Sequence, residues 1–80
     1  MNQEAQTDIK LAERLGRIGA DIECRLAGRV RDLQLVFSEH GVIMRGRAHS
    51  YYAKQLAQQA VMDAVGLPIR ANEIRVLRAG

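Results

Sequence analysis

Three arginines are the residues of this chain whose type and spacing could do chemistry. Arg45 and Arg47 lie two positions apart in an alternating apolar and polar segment, and Arg75 lies in a similar segment further along. Residues two apart in a β-strand point to the same face of a sheet. A guanidinium group forms paired, planar hydrogen bonds with phosphate or carboxylate. The sequence therefore predicts an anion-binding sheet face, and the simpler alternative is an ordinary solvated one.

Three apolar residues share the predicted outer face with these arginines. They are Val36, Ile43 and Leu77. Apolar side chains on an otherwise polar face are typical of a partner surface or a dimer interface. The alternative hypothesis is therefore a structural interaction protein that forms a homodimer through this face.

Two adjacent tyrosines, Tyr51 and Tyr52, begin a predicted helix. Tyrosines near arginines could anchor a protein at a membrane interface or a partner surface, although helix-start tyrosines are commonly packing residues. Nucleic-acid binding is the weaker alternative. Basic charge is the only argument for it, and the predicted outer face carries no aromatic residue for base stacking.

No arrangement of residues predicts catalysis, a metal site or a cofactor. His40 and His49 are isolated from one another and from Cys24, and two isolated histidines do not form a metal site. No glycine-rich phosphate loop is present. The chain is interpreted as a non-enzymatic protein without a small-molecule substrate.

Composition indicates one small globular domain. The chain has 80 residues, 48% of them hydrophobic and 26% charged, with a net charge of +3 and only two lysines, Lys10 and Lys54. The N-terminus has no basic and apolar signal pattern and no segment is apolar enough to span a membrane, so the expected location is the cytoplasm. Cys24 lies within a helical pattern and is expected to be a buried small side chain.

The first predicted element is a helix capped by Thr7 or Asp8 and ended by Gly28. Residues 1–7 are expected to be a disordered tail, and residues 8–80 a single domain. The apolar stripe that predicts the helix consists of Leu11, Leu15, Ile18, Ile22 and Leu26. Gly16 and Gly19 indicate either a break in this helix or a close approach to a neighbour.

From Asp32 onward the apolar period changes from helical to two, which predicts strands. A hairpin joins residues 32–38 to residues 42–48, and Gly41 is expected to supply the backbone freedom of its turn. A helix follows from the Ser50 cap to Gly66, and residues 72–76 form a last strand. The predicted fold is α+β with the order α-β-β-α-β: a three-stranded, mixed sheet with both helices packed on one face. We expect the second and third strands to pair, with the third beside the first as the alternative.

This pattern resembles a BON domain, a family named for bacterial osmotic-shock and nodulation proteins. The resemblance covers about residues 30–77 and is carried by Leu33, Leu35, Phe37, Val42, Met44, Gly46, Gly66, Asn72, Ile74 and Val76, and by the stretch Arg45-Gly46-Arg47-Ala48 followed by Tyr51-Tyr52. The hairpin is shorter by one residue than the family's, so that His40 stands where a glycine is expected. Arg70 replaces a common valine, so the start of the third strand departs from the family pattern. The resemblance implies a non-enzymatic adaptor that binds phospholipid or other surfaces of the cell envelope. Together with the predicted arginine face, it favours anionic phospholipid or an acidic protein surface as the partner.

Overall fold

The computed structural model describes the backbone of residues 3–77 and the side chains of residues 9–77. Its elements are α1 (Gln3–Arg25), β1 (Val30–Ser38), β2 (Gly41–Ala48), α2 (Tyr51–Val65) and β3 (Ile69–Val76). This order confirms the predicted α+β class and the α-β-β-α-β arrangement. Helix α1 begins at Gln3, before the predicted caps. Met1 and Asn2, which belong to the predicted tail, lie outside the described residues.

The three strands form a mixed sheet in the order β1-β2-β3. β1 and β2 are antiparallel, and β2 and β3 are parallel, so the β-α-β unit through α2 has the expected geometry. Both helices pack on one face of this sheet, with α1 lying mainly over β1. The buried core between the layers consists of Leu15, Ile22, Val30, Leu33, Leu35, Val42, Met44, Ala48, Ala53, Ala57, Val61 and Ile74.

Helix α2 has the predicted boundaries. The Ser50 hydroxyl accepts a hydrogen bond of 3.1 Å from the Ala53 amide, which satisfies one free donor of the first turn. Gly66 ends the helix in the left-handed conformation, with φ 72°, and its amide donates to the Met62 carbonyl. The small side chains of Ala53 and Ala57 are buried and allow the helix to lie close to the sheet.

A β-bulge interrupts β1 at Asp32 and Leu33, which together lie opposite Gly46 of β2. Asp32 has a positive φ of 55°. The extra residue shifts the inward and outward alternation by one, so Val30 and Leu33 are both buried although they are three positions apart. A side chain at Gly46 would place its Cβ 3.0 Å from the Arg31 carbonyl oxygen. On the far side of the bulge, Val30 and Arg31 again pair with β2, opposite Ala48 and Arg47. Strand β1 therefore starts at Val30, two residues before the predicted start.

The hairpin turn is formed by two residues that are not glycine. Glu39 has φ 47° and His40 has φ 71°, and positive φ at both positions is characteristic of a type I′ turn. The prediction that Gly41 supplies this freedom is wrong. Gly41 is required for space, since a Cβ there would lie 2.5 Å from Arg70 Cγ and 2.9 Å from the Pro68 carbonyl oxygen.

The expectation that Cys24 is buried is also wrong. Cys24 is exposed, because it lies two positions after the buried Ile22 and therefore on the opposite side of a 3.6-residue helix. Phe37 is 38% exposed, although it continues the inward pattern of Leu35. The reason is that Phe37 borders a groove between β1 and α1, where the helix no longer covers the strand.

The molecule is elongated, with extents of 53 × 21 × 20 Å. Helix α1 has 23 residues and is therefore about 35 Å long. Strand β1, with nine residues, spans about 30 Å. Within residues 3–77, no helix is both long enough and apolar enough to cross a membrane.

Candidate anion-binding face

The open face of the sheet is arranged in three rows, each running across all three strands. The rows follow from the cross-strand partners, because directly paired residues point to the same face. From the hairpin end, they are Val36, Ile43 and Ala71, then Gln34, Arg45 and Glu73, and then Arg31, Arg47 and Arg75. We call the last set the arginine row.

The arginine row places three guanidinium groups side by side. Neighbouring strands are about 4.8 Å apart, so the three side chains leave the sheet within about 10 Å of one another. Arg31, Arg47 and Arg75 are all exposed. Sequence reasoning missed Arg31, since its outward direction depends on the bulge that follows it.

One carboxylate partly balances the arginine row. Arg47 donates from Nη2 to Oδ2 of Asp32, the residue that the bulge turns toward β2. Like charges directly opposite one another destabilise a sheet, and Asp32 offsets some of that repulsion. Among the side chains that the structure describes, Arg31 and Arg75 form no ion pair. The row therefore keeps an excess of positive charge.

Arg45 lies in the neighbouring row and is already paired. Its Nε donates to Oε1 of Glu73 over 3.0 Å, and both side chains are about half exposed. An exposed pair of this kind contributes at most about 1 kcal/mol, so an anionic ligand could compete for Arg45. The three predicted arginines thus share one face, but only Arg47 and Arg75 are adjacent.

The predicted apolar residues do not form one patch. Val36 and Ile43 are cross-strand partners near the hairpin. Leu77 follows β3, and its amide donates to the Ala48 carbonyl at the other end of the sheet. The polar row and the arginine row lie between them, so a single apolar interface across this face is not formed.

Tyr51 and Tyr52 are 63% and 66% exposed in the first turn of α2. They follow the end of β2, four and five residues after Arg47. Leu77 lies at this same end of the sheet, beyond Arg75 on the last strand. The exposed tyrosines and Leu77 therefore belong to the end of the molecule that carries the arginine row, whereas Val36 and Ile43 belong to the other.

A shallow groove of about 550 Å³ borders the arginine row between α1 and the bulge. Glu23, Cys24, Arg31, Asp32 and Arg47 contribute to its walls. This groove is a shallow concave surface at the border of the arginine row, and it is not a deep pocket.

No family model, curated protein or solved structure matches this chain. In the part of the chain that the structure describes, no three His, Cys, Asp or Glu side chains are grouped as a metal ion would require. The resemblance to a BON domain stays a prediction.

Proposed function

We propose that the protein is a non-enzymatic, BON-like binding module whose arginine row contacts the headgroups of anionic phospholipids. The observation that carries this proposal is the direct cross-strand alignment of Arg31, Arg47 and Arg75 on an uncovered sheet face. Adjacent cations are costly in the free protein, since they repel one another. An anionic surface relieves that repulsion.

The chemistry of arginine favours phosphate over other partners. Each guanidinium presents a rigid set of donors that matches two oxygens of a phosphate group, and it sheds water more readily than a lysine ammonium. A basic residue near an anionic membrane surface contributes about 1 kcal/mol. Three arginines together would therefore contribute about 3 kcal/mol to membrane association.

Exposed residues at the end of the molecule that carries the arginine row suit a membrane surface. Tyr51 and Tyr52 are exposed at the same end of the molecule, and so is Leu77. Tyrosine rings sit at the boundary between headgroups and acyl chains, with the hydroxyl in water. The tyrosines belong to the helix layer and the arginines to the open face, so they share only this end of the molecule. Aromatic, aliphatic and cationic side chains at one end favour a lipid surface over an acidic protein surface.

The test is co-sedimentation with vesicles. The wild type should bind vesicles of phosphatidylcholine mixed with phosphatidylserine, and bind much less to vesicles of phosphatidylcholine alone. The triple change Arg31→Gln, Arg47→Gln and Arg75→Gln should weaken binding about a hundredfold, which corresponds to about 3 kcal/mol.

The control changes the same amount of charge elsewhere. Arg14→Gln, Arg17→Gln and Arg25→Gln alter three exposed arginines of α1 and should leave most of the binding intact. Equal loss in both triple variants would show a general charge effect and contradict the proposal. Binding to an acidic polyglutamate peptide without binding to vesicles would identify a protein partner instead.

A further inference from the structure

The outer edge of β1 is closed in its first half. β1 is an edge strand in the order β1-β2-β3, and such edges pair with other chains unless they are blocked. Here the bulge disrupts the strand, and Oε1 of Glu23 accepts the outward amide of Leu33 over 2.9 Å. Helix α1 also lies against the strand, since a Cβ on Gly19 would be 3.3 Å from the Leu33 carbonyl oxygen.

Within the described part of the chain, nothing pairs with the second half of the same edge. A two-residue turn makes Ser38 and Gly41 a hydrogen-bonded pair. Because hydrogen bonding alternates along an antiparallel strand, the main-chain groups of Leu35 and Phe37 point away from β2. Among the described residues, no side chain bonds to either of these amides or carbonyls.

An apolar groove runs along this open half. It has a volume of about 460 Å³ and lies between Leu11 and Ala12 of α1 and five consecutive residues, 35–39, of the strand and turn. Consecutive strand residues can line one groove only at a strand edge, since alternate residues face opposite sides of the sheet. Val36 and Phe37, both about 40% exposed, border it.

The open segment is complementary to itself. Residues 33–38, Leu-Gln-Leu-Val-Phe-Ser, contain no charge, so two copies can meet without repulsion. Suppose that two β1 strands pair antiparallel with their Val36 residues directly opposite each other. Leu35 of each copy then lies opposite Phe37 of the partner subunit. Both residues then exchange their free main-chain hydrogen bonds, and the two Val36 side chains meet on the outer face.

Symmetry also favours a second copy over an unrelated strand. A two-fold pairing is closed, because each β1 edge is used once and no further copy can add there. The remaining edge, β3, carries Arg70, Glu73 and Arg75, and charged residues discourage pairing. An uncharged, β-prone edge left open would instead invite pairing with other chains.

We infer that the protein forms a homodimer in which the β1 strands pair antiparallel about Val36, giving a continuous six-stranded sheet. This dimer differs from one formed face to face, because it uses the strand edge and leaves the arginine rows uncovered. It does not depend on the proposed phospholipid binding. The two proposals can therefore fail separately.

Sedimentation equilibrium tests the inference. The wild type should sediment at twice its monomer mass of 8.9 kDa, and Val36→Lys should sediment as a monomer, since two lysines would meet at the axis. Met62→Lys, which alters an exposed hydrophobic residue on α2, should remain a dimer. Mixing Val36→Lys with Val36→Glu should restore a dimer through the opposite charges.

Disulfide trapping tests the register. The α-carbons of the paired Val36 residues should be about 4.5 Å apart, which is within the range of a disulfide. Val36→Cys with Cys24→Ser should give a covalent dimer under mild oxidation, whereas Met62→Cys with Cys24→Ser should not. A monomeric wild type, or a dimer that survives Val36→Lys and dissociates in Leu77→Lys, would overturn the inference.

Discussion

Glu23 is a residue whose role depends on one hydrogen bond. Its carboxylate accepts the Leu33 amide that the bulge leaves without a strand partner. A bond to a charged acceptor is stronger than one between neutral groups. Glu23 therefore both ties α1 to β1 and satisfies a partly buried main-chain donor.

Replacing Glu23 should destabilise the protein. We expect Glu23→Ala to lower the free energy of unfolding by about 1 to 3 kcal/mol, because the Leu33 amide would lose its partner. Urea denaturation followed by circular dichroism measures this change. Glu13→Ala, an exposed position on the same helix, should cost less than about 0.5 kcal/mol. Similar losses in both variants would contradict the assigned role of Glu23.

Sequence alone could place Arg45, Arg47 and Arg75 on one face, because each lies among apolar residues of period two. It could not place Arg31 or explain Asp32, since both depend on a bulge that only pairing with β2 reveals. The exposure of Cys24, in contrast, follows from the sequence alone. Cys24 lies two positions after Ile22 and therefore outside the apolar stripe of a 3.6-residue helix.

At the scale of the elements, the bulge in strand β1 is the feature that the local sequence does not determine. The order of elements follows from local signals: the Ser50 cap, the Gly66 end and the alternation of the strands. The pairing of β2 with β3 follows from the short β-α-β connection. The bulge depends on Gly46, which lies on another strand and admits the carbonyl oxygens of Arg31 and Asp32.

Two glycine substitutions should have opposite effects. Gly46→Ala should lower the free energy of unfolding by about 1 to 3 kcal/mol, because its Cβ would press on main-chain atoms at 3.0 Å and 3.3 Å. Gly16→Ala should raise it by up to about 1 kcal/mol, since Gly16 lies inside α1 with no atom within 4 Å of an added Cβ. Thermal unfolding compares the two. A stabilising Gly46→Ala would show that the bulge can relax.

At the scale of the whole molecule, the edge-paired dimer would carry two arginine rows on the same side of one sheet. A two-fold axis perpendicular to the sheet keeps both outer faces on one side. Each row lies about five residues along its strand from Val36, so the rows would be roughly 30 Å apart. Two sites facing one surface bind with an avidity that a single site lacks.

Dimer formation should make stability depend on protein concentration. Folded dimers are favoured by mass action, so the midpoint of thermal unfolding should rise by about 3 to 5 °C for each tenfold increase in concentration. Differential scanning calorimetry over a dilution series measures this dependence. Val36→Lys should unfold at a midpoint that does not change with dilution, and a wild type with the same constancy would be a monomer.

The extents of 53 × 21 × 20 Å also govern how the protein moves through water. A rod-like particle experiences more friction than a sphere of equal mass, so it diffuses slowly and leaves a size-exclusion column early. A single copy of this chain would therefore elute at the volume of a heavier globular standard. Its rotation would be anisotropic as well, slower end over end than about the long axis.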